Sequence, residues 1–151
     1  MKKLITFAML LMLIATSLIA GCASRAYSYD NFVDDLRDSV VSVLIMGEVK
    51  VSPFLVKARN IRVKGENVNI YEFGNKAQAD EEAALINPDG FGMSRIDETG
   101  TRTASGWSTI GPPHFYKKGR LIVYYVDVSH GSDPTVRNLL ESILGSQFAG
   151  R

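Results

Sequence analysis

Apolar positions in this chain form one long block, then stripes at four-residue spacing, then short alternating runs. The block comes first. Leu4 to Ala20 is apolar except for Thr6, Thr16 and Ser17, and it follows Lys2 and Lys3. That is the layout of a secretory signal sequence, an address to be kept out of the fold. Phe32, Leu36 and Val40, widened by Val33, make the first stripe. It predicts a helix capped by Asp30 and running to about Val40, with Asp34 and Asp35 near the positive end of its dipole. Val41 to Met46 is apolar and β-branched, which predicts a buried strand ending before Gly47. Val49 to Phe54 reads as extended chain interrupted by Pro53.

From Val56 to Lys64 the alternation changes phase. Val56 and Ala58 share one parity, Ile61 and Val63 the other, and a bulge near Arg59 and Asn60 would turn both pairs inward. Lys64-Gly65-Glu66-Asn67 is a tight turn into Val68 to Phe73, a hairpin strand with Val68 and Ile70 on one face and Tyr71 and Phe73 on the other. Lys76 to about Ile86 predicts a slim, alanine-rich helix, stopped by Asn87-Pro88-Asp89-Gly90. From there to about Thr101 the chain is glycine-rich and aperiodic, which predicts a loop that is either a binding segment or, the preferred reading, simply mobile. Thr103 to Ile110 reads as a strand with Trp107 as its only large anchor. Leu121 to Val126 is strongly β-forming and belongs in the centre of the sheet. Asp133 and Pro134 then start a helix with Val136, Leu139, Leu140, Ile143 and Leu144 as its stripe and Gly145 as its stop. Phe148 follows in the tail, able to fold back onto the core. The order predicts an α+β fold: an antiparallel sheet of about five strands with three helices packed on it. Asp30 to Phe73 and Lys76 to Val126 look faintly like two helix-plus-hairpin halves, too weakly for a repeat.

Leu18-Ile19-Ala20-Gly21-Cys22 resembles the lipobox of bacterial lipoproteins. Ala20 and Gly21 leave a narrow approach to a soft, nucleophilic thiol. The resemblance implies that Cys22 takes a diacylglyceryl thioether and becomes the first residue of the mature chain. The expected organisation is a signal over residues 1–21, a lipidated tether over 22–29 and one domain over 30–151. Two or more acyl chains hold a protein firmly on a bilayer. Permanent anchorage in the cell membrane or outer membrane, facing outside the cytoplasm, is the expectation. Asp after the cysteine is the usual inner-membrane retention cue in such lipoproteins, and Ala23 stands there instead. The tether from Ala23 to Tyr29 spans about 25 Å at most, and Tyr27 and Tyr29 suit either the lipid interface or the domain's own surface.

Charge removes some partners. The 17 basic residues include Lys2 and Lys3, so the mature chain carries one more acid than base against the 16 Asp and Glu. No broad basic field remains to attract nucleic acid. Cys22 is the only cysteine and is consumed by the lipid, which leaves no disulfide, thiolate nucleophile or cysteine metal site. His114 and His130 lack metal-ligand spacing. Ser105 and Ser108 lack a nucleophile motif and a visible acid partner. Gly90-Phe91-Gly92 lacks the strand and helix of a phosphate loop. The pairs Asp34-Asp35 and Glu81-Glu82 read as solvating charge. The chain is expected to be no enzyme and to need no cofactor.

One constellation suits binding: Trp107 with His114, Tyr116, Lys117, Lys118 and Arg120, around Pro112-Pro113. Rings beside cations can stack on sugars or peptides, while the same residues also suit a plain hairpin with Trp107, Phe115 and Tyr116 in the core. This segment, its continuation to Val126, and Leu139-Leu140 through Gly150 resemble a family of small bacterial lipoproteins and secreted proteins without assigned function. The likeness also takes in Asn31-Phe32-Val33 and Glu72 to Ile86, and brings no catalytic residue or ligand. Those relatives commonly have glycine and alanine where this chain has Val40-Val41-Ser42-Val43. The resulting expectation is a membrane-anchored, non-enzymatic binding domain at the cell envelope, with an envelope protein or glycan as partner. Two rivals remain: an envelope hydrolase of peptide or sugar, needing a cleft that joins His114 to Ser105 or Ser108, and a structural spacer.

Overall fold

A sheet covered on both faces requires apolar residues on both parities of its strands, and the phase change at Ala58 and Ile61 is the mark of one. The computed structural model describes residues 26–39, 41–49, 52–128 and 134–150. The signal, Cys22, Ala23 to Arg25, Val40, His130 and Asp133 lie outside the described residues. In chain order the elements are α1 (Tyr29–Asp38), β1 (Val43–Val49), β2 (Ala58–Val63), β3 (Glu66–Glu72), α2 (Lys76–Ala84), β4 (Gly92–Ile96), β5 (Arg102–Gly106), β6 (Pro113–Lys118), β7 (Leu121–Val126), α3 (Thr135–Leu144) and β8 (Ala149–Gly150). The strands run β1-β2-β3-β7-β6-β8 in one antiparallel sheet, and β4 with β5 forms a second, two-stranded sheet. The fold is α+β with three helices. The main sheet has six strands where about five were expected. Pro113–Lys118, not expected as a strand, and the two-residue β8 belong to it, the strand expected over Thr103 to Ile110 gives β5 of the second sheet instead, and β7 sits centrally as its composition requires.

On one face Phe32 and Leu36 of α1 and Val136 and Leu140 of α3 cover Ile61, Val63, Ile70 and Val123. On the other, Ala79 and Ala83 of α2, with Phe54 and Met93, cover Ala58, Tyr71, Phe115 and Ile122. Alanine lets α2 lie close. Phe54 meets the Tyr71 ring edge-on at 4.6 Å.

Several expectations change. No bulge interrupts β2, whose register with β3 is unbroken; Ala58 and Ile61 simply belong to different cores. The bulge lies in the neighbouring strand, between Ile45 and Gly47, where Gly47 takes φ +107°. So β1 continues to Val49, and it is an exposed margin rather than a buried strand, because only its two ends, Val43 and Val49, pack against the cores. Ser28, not Asp30, is the N-cap of α1: Asn31 Oδ1 accepts from Ser28 N at 3.1 Å and from Ser28 Oγ at 2.7 Å. The stretch expected as a loop contains β4, paired with β5 from Gly92 opposite Gly106 to Ile96 opposite Arg102. Asp97 Oδ1 builds their turn by accepting from Thr99 N and Thr101 N. With β5 ending at Gly106, Trp107 to Ile110 follow it as irregular chain.

α2 stops at Ala84, and Ile86 instead bridges Met93. Because α1 and α2 pack on opposite faces, the two helix-plus-hairpin halves are not copies. Gly145 closes α3 as expected.

The chain preceding α1 is fastened to the β6–β7 turn. Arg120 N donates to Tyr27 O at 3.2 Å, the Tyr27 hydroxyl donates to Asp35 at 2.6 Å, and the Lys118 ammonium lies 4.1 Å from the Tyr27 ring centre. Gly119 (φ +59°) makes this possible, since a Cβ there would stand 2.6 Å from Tyr27 Cβ. Tyr27 and Tyr29 thus pack on the domain's own surface. Among the described residues no helix is long and apolar enough to cross a membrane.

Candidate functional site: a groove beside Trp107

On the α2 face of the sheet, β3 and β7 present Asn69 and Tyr124, direct neighbours in the register. α2 and Phe54 cover Tyr71 and Ile122, but not this next pair, and an open groove runs over it. One end, of about 450 Å³, is lined by Gly65, Glu66, Asn67, Ile110 and Val126. The adjoining end, of about 360 Å³, is lined by Ser52, Pro53, Tyr71, Ser105 and Trp107. Asn69, Ser108, Thr109 and Tyr124 border both.

Its rings are held in place. Tyr124 stacks on Phe115 at 4.7 Å between centroids, and Trp107 leans on Phe115 at 6.0 Å. Burial pushes the Tyr124 phenol up to about 12, so at neutral pH it is an uncharged hydroxyl that can both donate and accept. Burial raises Tyr71 as well. Asn60 Nδ2 donates to Asn69 Oδ1 at 2.8 Å, which fixes the amide on the floor. The groove therefore offers flat rings, amides and hydroxyls, with Glu66 as its one ionisable carboxylate.

Of the binding residues singled out from sequence, Trp107 alone borders this groove. Strand alternation separates the others. His114 and Tyr116 turn to the α3 face and are buried; the His114 ring stacks on Tyr125 at 5.9 Å, and its Nδ1 lies 2.6 Å from Gln147 Oε1. Lys117 turns to the α2 face and pairs with Asp80. Lys118 donates to Ile143 O at 2.6 Å, at the C-terminal end of α3. Arg120 Nη2 donates to Glu72 Oε1 at 2.7 Å. Cys22 lies outside the described residues. Ser105 and Ser108 border the groove while His114 lies across the sheet from them, so no cleft joins the three. Among the described residues no group of three His, Cys, Asp or Glu side chains stands close enough to hold a metal ion.

Asn67, Asn69, Thr109 and Tyr124 were not legible as a site. The one available signal was Asn69, a polar residue on the same face as buried Tyr71, where a fully covered sheet would carry an apolar one.

Lys117, and after it Lys76, holds the Asp80 carboxyl below the usual carboxylate range. An acid with a lowered folded pKa stabilises the fold above its unfolded value and loses that contribution as pH falls through the folded one. Lys117→Ala should accordingly flatten the acid limb of the stability curve below about pH 4, as read by urea denaturation at stepped pH, and raise the Asp80 carboxyl titration seen by NMR.

No family model, curated protein or solved structure matches the chain.

Proposed function

We propose that the chain is an extracytoplasmic lipoprotein, held on the cell envelope through Cys22, whose groove beside Trp107 binds a neutral glycan. The anchor rests on the charged start, apolar block and lipobox ending at Cys22. The ligand class rests on one observation: a groove lined by the Trp107 and Tyr124 rings together with Asn67, Asn69, Ser108 and Thr109. Rings stack on the apolar faces of sugars, and amides and hydroxyls match their hydroxyl groups. A charged peptide or nucleic acid would look here for counter-charges and meet a single glutamate. Accessibility of the groove supports the reading: the chain enters α1 beside Gly74, Asn75 and Arg120, at the end of β3 away from Glu66 and Asn67, so a bilayer at that end would leave the groove clear. The domain acts by binding and carries out no reaction.

Fractionation and glycan binding test the two halves separately. In the native host the wild type should sediment with membranes, and Cys22→Ser should move to the soluble fraction. The full chain should bind soluble N-acetylglucosamine oligomers, and Tyr124→Ala with Trp107→Ala should weaken binding by about tenfold or more. Unchanged affinity in the double variant would remove the groove from the account and leave a spacer.

A further inference from the structure

We propose that β1 pairs with β1 of a second copy of this chain, antiparallel, about a two-fold axis through Leu44, so that the two sheets become one. β1 is the margin of the sheet, and among the described residues its strand partner is β2 alone. Lys64 N donates to Ser42 O at 3.3 Å, and Leu44 stands opposite Arg62. By antiparallel alternation Ser42 and Leu44 therefore turn their main-chain groups toward β2, and Val43 and Ile45 turn theirs outward. The side chains are open too: Leu44 is 55%, Ile45 53% and Met46 48% exposed. They lie on both sides of the strand, Ile45 following Ile61 to the α1 face and Leu44 following Arg62 to the other.

Sheet margins are usually guarded by charge, proline, shortness or a bulge. The opposite margin has the third of these, since β8 is two residues long. β1 is guarded only in its second half, by the bulge after Ile45 and by the Glu48–Lys57 ion pair at 2.8 Å. Residues 42–46 carry no charge.

That unguarded segment is complementary to itself. An axis at Leu44 sets Val43 opposite Ile45 of the second copy, where the outward N–H and C=O groups of both close a hydrogen-bonded pair, and both side chains lie on the α1 face. Leu44 meets Leu44 of the second copy on the α2 face. No like charges oppose each other, and the chain beyond the bulge plays no part. The axis is normal to the sheet. Both copies then present α1 on one side of the joined sheet and the groove on the other. The apolar surface available is roughly 300–400 Å² per copy, about half that of a standard interface, so association should be weak in dilute solution and should rise with concentration.

Cross-linking of the full chain in a Cys22→Ser background decides the matter without reference to the anchor. In the pair, the two Leu44 residues form a non-hydrogen-bonded position with Cα atoms about 4.5 Å apart, within disulfide reach. Cys22→Ser, Leu44→Cys should give a disulfide-linked dimer under mild oxidation at high protein concentration. Adding Ile45→Lys should reduce that yield at least tenfold while leaving the thermal melt unchanged. Cys22→Ser, Leu55→Cys supplies the random-collision level, because Leu55 is 84% exposed and distant from the axis. A Leu44→Cys yield no higher than this level, or one that Ile45→Lys leaves intact, would overturn the proposal.

Discussion

Phe32→Ala should lower the free energy of unfolding by about 3–5 kcal/mol. Phe32 is fully buried at the centre of the α1 stripe, among Val33, Leu36 and the sheet residues Ile61, Val63 and Ile70. The cost of such a truncation depends on how far the surroundings close over the hole. Here they have little freedom: the sheet is packed from behind by α2 and Phe54, and α1 is fastened at its start through Tyr27 and Glu72. A shift of α1 toward the sheet would have to break those bonds first. Urea denaturation of the variant should show a lower midpoint at an unchanged slope. Ala79→Gly on the other face should cost only about 1 kcal/mol, mostly through helix propensity. A loss below about 1 kcal/mol for Phe32→Ala would mean that the α1 face is not closed as described.

What the sequence disclosed, and what it hid, follows from burial. Phe32 with Leu36, and Val136 with Leu140, announce α1 and α3 because each helix buries one stripe and wets the other side. Leu121 to Val126 announces β7 because a strand in the middle of a two-faced sheet must be apolar throughout. The same two-faced burial made Ala58 and Ile61 look like a bulge: alternation has a single phase only when one face is dry. β4 hid for the opposite reason, while β5 showed as part of the strand expected over Thr103 to Ile110. Every residue of β5 is exposed and β4 buries only Gly92 and Met93, so no apolar period marks the pair, which is held by its own ladder, Met93, the Asp97 turn and the Arg95–Glu82 ion pair. The candidate site suffered most. His114, Tyr116, Lys117 and Lys118 adjoin in sequence, but a strand deals its neighbours to opposite faces. The groove instead joins Asn69 and Tyr124, which are far apart along the chain and meet through the β3–β7 pairing, with Thr109 from the irregular chain after β5.

Glu72→Ala is expected to cost about 2–4 kcal/mol, although Glu72 ends a strand and reads from sequence as an ordinary surface acid. Its side chain is only 19% exposed, and it gathers three separate parts of the fold. Oε1 accepts from Arg120 Nη2 at 2.7 Å and from Tyr29 N, the first turn of α1, at 3.1 Å. Oε2 lies 3.6 Å from Arg59 Nη2, and the Arg59 guanidinium itself covers the Tyr29 ring at 4.3 Å. Alanine would leave the Arg120 cation half-buried without its counter-charge and strip the α1 terminus of an acceptor that also complements its dipole. Glu72→Gln keeps an acceptor for Tyr29 N and loses the charge, so it should fall between the wild type and alanine. Double-mutant cycles separate the partners. Coupling to Arg120 should reach about 1.5–3 kcal/mol as a charge-assisted hydrogen bond, and coupling to the more exposed Arg59 should stay below about 1 kcal/mol. Faster amide exchange in the first turn of α1, with exchange in β7 unchanged, would locate the loss where β3, the β6–β7 turn and α1 meet. Equal coupling to both arginines, or none to either, would mean that Glu72 acts as a solvated surface charge and that α1 is held by its apolar face alone.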